Sequence, residues 1–256
     1  MSNQKLSVVI LTRDAEDSVR GCLESVKWAD EIIIVDGFSS DRTVEICKDY
    51  TDKIILSEFK GFAAERNKGI DEAAGDWILQ LDADEVVTSA LAKALREAMG
   101  SPAPYVGYKF RRKNFFLGHP MRYGGWYHYS AHFFKKGFGR YEGLIHERLK
   151  LNGQQGVIEA EIEHRPFTSI AQFISRQNRY TGYEARDILS EKGVLSEKIV
   201  MHNLYFKPVR LFWKFYLKKQ GFREGMIGFI FSALFSYVHF MKWAKYWELT
   251  YGQKAR

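Results

Sequence analysis

The chain has 256 residues, 46% of them hydrophobic and 27% charged, with 38 Lys and Arg against 31 Asp and Glu. That apolar content fills a packed core and excludes a disordered chain, while five prolines and 21 glycines without a period exclude Pro-rich and collagen-like sequence. Residues 1–100 carry 12 basic and 20 acidic side chains and residues 101–256 carry 26 and 11, so a polyanionic partner is expected for the second part only.

Met1–Lys5 is polar and the apolar run Leu6–Leu11 stops at Arg13, too short for an export signal, so a cytoplasmic protein is expected. Leu6–Leu11 reads instead as a buried strand. Val19, Cys22, Leu23 and Val26 mark an amphipathic helix over 16–27. Cys22 and Cys47 are too few for a disulfide framework and read as small buried side chains in a reducing compartment. Glu31–Asp36 is a second strand, followed by a Gly37–Asp41 turn and a helix through Tyr50. Lys53–Leu56 is a third strand, Phe62–Ala74 a helix and Asp76–Leu81 a fourth strand. Thr88 and Ser89 can cap a helix through Met99. Such alternation predicts a mostly parallel sheet covered on both faces, with ligands at the carboxyl ends of its strands.

Asp14, Asp36, Asp82 and Asp84 stand at those ends, whereas Asp41 and Asp17 read as helix caps. Leu81-Asp-Ala-Asp-Glu85 ends a strand in an Asp-x-Asp turn, which can hold a hard divalent cation and leave positions for phosphates. The first strand is followed by no Gly-x-Gly-x-x-Gly, and the chain has no P-loop, which argues against dinucleotide-dependent redox chemistry and P-loop phosphoryl transfer.

Ser7–Thr12, then Ile34-Val-Asp36-Gly-x-Ser-x-Asp-x-Thr43, then Leu81–Asp84 resembles, as an ordered set, the family 2 inverting glycosyltransferases of GT-A fold, over about residues 5–165. The resemblance implies a nucleotide-sugar donor, usually UDP-linked, and Mg²⁺ or Mn²⁺. It makes Thr12 and Asp36 uracil-site residues, Arg66 a basic residue near the nucleotide, Asp82 the nucleotide-side carboxylate and Asp84 the metal ligand. Leu11-Thr-Arg-Asp14 departs from the family pattern, which often has Pro and Asn there.

Residues 105–150 are aromatic and basic, with Arg112 and Trp126 suited to sugar faces and hydroxyls; by composition nucleic acid would suit them equally. Gly124-Gly125 reads as a tight turn that brings backbone close to a neighbour. Ile145-His-Glu-Arg148 offers Glu147 as a base for an acceptor hydroxyl, with His146 placed to orient it; the bland alternative is a salt bridge from Glu147 to Arg148 or Arg112. His164, ending the strand Val157–Glu163, is a further candidate metal or diphosphate ligand, or a structural residue.

From Thr168, a candidate cap, the pattern is helical to near Trp247. Lys207, Arg210, Lys214 and Lys218 form a basic stripe among aromatic residues, the look of a membrane-surface helix or of a packed helix with a solvated basic face. Gly225–Met241 has no charged residue, yet Ser232, Ser236 and His239 interrupt it. An interfacial or buried helix is therefore favoured over a span, with Trp213, Trp243 and Trp247 at the interface.

The aromatic segment, the His-Glu pair and this extension resemble a family 2 subgroup that includes bacterial lipopolysaccharide inner-core glucosyltransferases. That implies UDP-glucose, a core heptose on a lipid-linked acceptor, and an anionic membrane surface nearby; nucleic acid is not expected. The expected architecture is α/β: a GT-A, Rossmann-like domain at 1–166 and a helical, membrane-proximal extension at 167–256. A polyprenyl-phosphate glycosyltransferase and a non-enzymatic membrane- or nucleic-acid-binding protein are the competing readings.

Overall fold

A computed structural model describes residues 4–143 and 147–252. It divides into two units, one of residues 1–113 and 128–164 and one of residues 114–127 and 165–256. The helical extension therefore has company: the short segment 114–127 groups with it.

The first unit is built on β1 (Leu6–Thr12), β2 (Glu31–Asp36), β3 (Ile54–Leu56), β4 (Trp77–Asp82) and β5 (Glu85–Val87). To these it adds β6 (Gly107–Phe116), β7 (His119–Pro120), β8 (His128–Lys135), β9 (Gly139–Glu142), β10 (Arg148–Leu151) and β11 (Gln155–Phe167), the ends of β6 and β11 and all of β7 falling in the second unit. Its helices are α1 (Val19–Val26), α2 (Thr43–Lys48), α3 (Phe62–Glu72) and α4 (Ser89–Gly100). Thr88 caps α4 by accepting from Leu91 N.

The large sheet runs β3-β2-β1-β4-β8-β6-β11-β5, with β7 on β6; β9 and β10 form a separate pair. The β3-β2-β1-β4 half is parallel, and β4–β8, β8–β6 and β11–β5 are antiparallel. A parallel half needs covered faces, and the two-residue period of β1 supplies both. Val8 and Ile10 pack with α1 and α4, whereas Val9 packs with α3. Cys22 and Cys47 lie in the first of these clusters as free buried thiols.

In the second unit, α5 (Ile170–Lys192) packs on α8 (Gly225–Thr250). Between them run α6 (Glu197–Met201), a π turn (His202–Phe206), α7 (Lys207–Trp213), a second π turn (Lys214–Lys218) and a 3₁₀ turn (Gly221–Glu224). Ser169, not Thr168, caps α5, accepting from Gln172 N. Phe116, Met121, Phe167, Phe173 and Phe231 form one cluster of the core. Trp243 is buried with Ala185, Val200 and Tyr246 and so is not interfacial, whereas Trp213 and Trp247 are exposed. Gly124 and Gly125 take φ of +80° and +84°, and the neighbour they approach is Lys219, whose carbonyl accepts from Gly124 N at 2.8 Å. Half-buried Glu224 accepts from Arg122 N and Tyr123 N at 2.7 Å and lies 2.7 Å from His119 Nε2, tying this turn to the start of α8.

Candidate active site

Parallel register places the site. Thr12 pairs with Asp36 across β1–β2, and Leu11 with Asp82 across β1–β4, so both carboxylates leave the same end of the sheet. Asp36 is fully buried, where an unpartnered carboxylate would be costly. Thr12 Oγ1 donates to its Oδ2 at 2.7 Å, and Ser39 donates through N at 2.8 Å and Oγ at 2.6 Å. Asp14, just beyond the end of β1, is used differently: its Oδ1 accepts from Ser40 N and Oγ, which ties two loops together. Asp41 accepts from Thr43 N and Glu16 N one residue ahead of the N-cap of α2, which is Arg42, and the N-cap of α1 is Ser18, so neither Asp41 nor Asp17 is the cap expected from sequence.

Asp82 is the centre of a charge network. Its Oδ1 lies 2.8 Å from an Arg66 guanidinium nitrogen and its Oδ2 lies 3.3 Å from Arg112. Arg66 comes from α3, which sits low on the sheet because Gly69 has no side chain; a Cβ there would overlap Val9. Arg66 is only 5% exposed, and its Nε lies 3.1 Å from Glu147 Oε1. One guanidinium thus links the end of β4 to the candidate base. Glu147 makes the salt bridge foreseen as its alternative role, but to Arg66 rather than to Arg148 or Arg112. The Arg66 guanidinium also lies 5.3 Å from the centre of the Tyr141 ring, and Tyr141 OH is 2.8 Å from His132 Nδ1.

Arg112 continues the network, its Nε 2.8 Å from Glu85 Oε1, while Glu85 Oε2 accepts from Asp82 N at 2.9 Å. The Asp-Ala-Asp-Glu turn is therefore closed by its own last residue. Burial alone would raise the Asp82 pKa; the charges of Arg66 and Arg112 overcome it and hold the group at about 2. Burial raises the Glu85 carboxyl above its ordinary range against the pull of Arg112. Burial, helped by Arg66 and Arg112, pushes His132 down to about 3, so it is neutral at physiological pH.

Asp84 points to a different partner. β5 pairs antiparallel with β11 so that Glu85 faces His164, and His164 Nε2 lies 3.3 Å from Asp84 Oδ1. Two donors at right angles on an ion with bonds of about 2.1 Å stand roughly 3.0 Å apart, slightly closer than this oxygen–nitrogen pair, whose 3.3 Å is an ion-pair distance. Asp82 is directed to its two arginines instead, and among the described residues no group of three His, Cys, Asp or Glu gathers as a metal site.

The structure thus brings Arg66, Asp82, Arg112 and Glu147 into one network, with Asp84 beside His164, and sets Thr12 with Asp36 at the same sheet end. Trp126 belongs to the second unit, where its ring packs on Phe167, Phe231 and Phe235. His146 lies outside the described residues. Sequence reasoning assigned nothing to Glu85, His132 or Tyr141. Glu85 was signalled by its place three residues after Asp82, whereas His132 and Tyr141 sit in alternating strands without a local motif.

Residues 7–148 match the sequence model of glycosyl transferase family 2. The lipopolysaccharide core biosynthesis glycosyltransferase LpsC of Rhizobium meliloti is 25% identical, over 98% of this chain and 94% of its own. An uncharacterized glycosyltransferase of Rickettsia typhi is also 25% identical, over 96% and 88%. Among solved structures, the mannosyltransferase PcManGT of Pyrobaculum calidifontis, in complex with GDP-Man and Mn²⁺, aligns with a TM-score of 0.51 and 12% identity over 95% of this chain and 87% of that one. That likeness concerns the fold, a GT-A glycosyltransferase sheet with a helical extension.

Proposed function

Because the chain belongs to glycosyl transferase family 2, we propose that it moves glucose from UDP-glucose, with inversion, to a hydroxyl of a lipid-linked saccharide such as a lipopolysaccharide core heptose. The observation that carries the mechanism is the Arg66 bridge: it sets Glu147 and Asp82 on one guanidinium, base beside donor-side carboxylate. Inverting transfer needs that proximity, since the acceptor must lose its proton where it meets the anomeric carbon.

Thr12 and Ser39 orient Asp36 toward the uracil, and Arg66 and Arg112 supply positive charge beside the diphosphate. Glu147 takes the proton of the acceptor hydroxyl as its oxygen bonds to the anomeric carbon. The bond from that carbon to the diphosphate oxygen breaks, and UDP leaves with the electron pair. Asp84 and His164 would hold Mg²⁺ or Mn²⁺, which when bound supplies charge stabilisation for the departing diphosphate. The whole-chain similarity to LpsC supports the acceptor class. We place the reaction in the cytoplasm at the inner face of the membrane, where a lipid-linked acceptor would meet a soluble donor.

Calorimetric titration of UDP-glucose and UDP, with and without Mn²⁺, tests this reading beside an Asp84→Ala variant. Metal-dependent binding by the wild type, lost in the variant, is the expected result. Failure of the wild type to bind either ligand would remove the UDP-dependent reading.

A further inference from the structure

The segment from α6 to the start of α8 presents a surface that the transfer reaction does not use. Its inner side is accounted for: the rings of Phe212 and Tyr216 contact Phe229, and Phe215 contacts Phe231 and Phe235. Its outer side carries an unusual pairing. Tyr205, Val209, Trp213 and Leu217, spaced four apart, are all exposed, from 51% to 63%. Directly beside them, also four apart, Arg210, Lys214 and Lys218 are exposed.

The two π turns explain why these rows are straight. In an α-helix of 3.6 residues per turn, every fourth residue overshoots a full turn and the row drifts around the axis. A π turn, closed from residue i to i+5, holds more residues per turn and drifts the other way. Placing π turns at 202–206 and 214–218 on either side of α7 offsets the drift, so an apolar row and a cationic row run side by side along the helix.

Charge completes the argument. Residues 198–223 contain seven Lys and Arg and no Asp or Glu. The next carboxylate, Glu224, is half-buried and engaged by His119, Arg122 N and Tyr123 N. A soluble protein–protein face would leave these cations without counter-charge from their own segment. Anionic lipid supplies it, while headgroups and the upper acyl chains receive the exposed rings.

We propose that the outer face of residues 205–218 docks flat on an anionic bilayer surface, with Trp213 and Leu217 in the interface and Arg210, Lys214 and Lys218 on the headgroup phosphates. α8 is long and apolar enough to cross a bilayer, but here it backs this segment and α5. The docking surface extends the proposed lipid-linked acceptor without resting on it, since it involves none of the donor-site residues.

The test is co-flotation of the full chain with vesicles of phosphatidylcholine alone and of equal parts phosphatidylcholine and phosphatidylglycerol. The wild type is expected to float with the anionic vesicles only and to be released by alkaline carbonate. Lys214→Gln with Lys218→Gln should weaken binding roughly thirtyfold, at about fivefold per cation. Trp213→Ser with Leu217→Ser should weaken it as well, and Lys48→Gln with Lys93→Gln, the same charge loss in the other unit, should not. Equal loss in both lysine pairs would mean attraction by net charge alone and overturn the proposal. So would retention after carbonate, which signals a spanning α8, or preference for single-stranded DNA over the vesicles. UDP-glucose calorimetry on the same variants separates the two readings: donor binding should be unchanged in all of them, whatever the vesicles show.

Discussion

The two units handle positive charge in opposite ways. In the first, Arg66 and Arg112 are nearly closed off from solvent and each lies between two carboxylates, Asp82 with Glu147 and Asp82 with Glu85. In the second, the cations of 207–219 stand mostly in solvent beside exposed rings, and the interior is filled by aromatic edges and faces around Phe116 and Phe231. Buried ion pairs add little net stability, because desolvation offsets attraction, but they fix geometry: each guanidinium has few places where its charge is tolerated. Exposed cations fix nothing and attract over a Debye length. One arrangement suits chemistry at an atom, the other suits adhesion to a surface.

The strongest way to break this comparison is at Glu147. If the paired network serves catalysis, Glu147→Gln should lower the transfer rate by about 10²–10⁴-fold, the range of general-base contributions, while donor affinity by calorimetry stays near that of the wild type. A fully active variant would mean an acceptor that arrives ionised, as a lipid phosphate does, and would move a polyprenyl-phosphate transferase ahead.

A second contrast removes one charge from each unit. Arg66→Met leaves Asp82 and Glu147 without their shared cation. The cost should be about 2–3 kcal/mol, below the 3–5 kcal/mol of a fully buried broken pair, because Asp82 is 34% exposed and keeps Arg112. Glu224→Ala removes the acceptor of two backbone amides and should cost about 2 kcal/mol. Hydrogen exchange resolves the two: protection should fall in β1 for Arg66→Met and in α8 for Glu224→Ala. Equal loss in both places from either change would show that the two units open together.

The parallel half of the sheet was legible because buried parallel strands leave unbroken β-branched runs, as in Leu6–Leu11 and Glu31–Asp36. The strand ends were legible with it, which is why Asp36, Asp82 and Asp84 could be named. β5 was not: three residues directly after an acidic turn carry no period, and the strand exists only through its pairing with β11. Arg66 was named but its bridging was hidden, since contact with Glu147 spans 81 residues and depends on how close Gly69 lets α3 approach the sheet. Ser169 displaced Thr168 as a cap by one residue, a distinction set by backbone angle rather than residue type. Trp243 was read as interfacial from its type and its distance along the chain from the apolar run, and its burial against Tyr246 followed from which face α8 turns to α5.

The smallest expected effect concerns His132, whose imidazole burial keeps neutral at physiological pH. Its pKa falls from an ordinary 6.5 to about 3 in the fold. The unfolded chain therefore binds a proton near pH 6.5 that the folded chain refuses until about pH 3, so the associated stability is complete above that range and is lost as pH falls through it. The slope should approach 1.4 kcal/mol per pH unit below about pH 6. Asp82, held at about 2, contributes the same sign of dependence only below about pH 4, and Glu85, raised by burial, contributes the opposite sign. The loss of stability as pH falls below about 6 carries the His132 contribution, against the opposite one of Glu85. A His132→Gln variant, which keeps a polar partner for Tyr141, should flatten the pH dependence of β1 exchange protection there. An unchanged slope would place the titrating group elsewhere and leave His132 charged, in which case Arg66 and Arg112 would not form the closed cationic centre that separates this unit from the other.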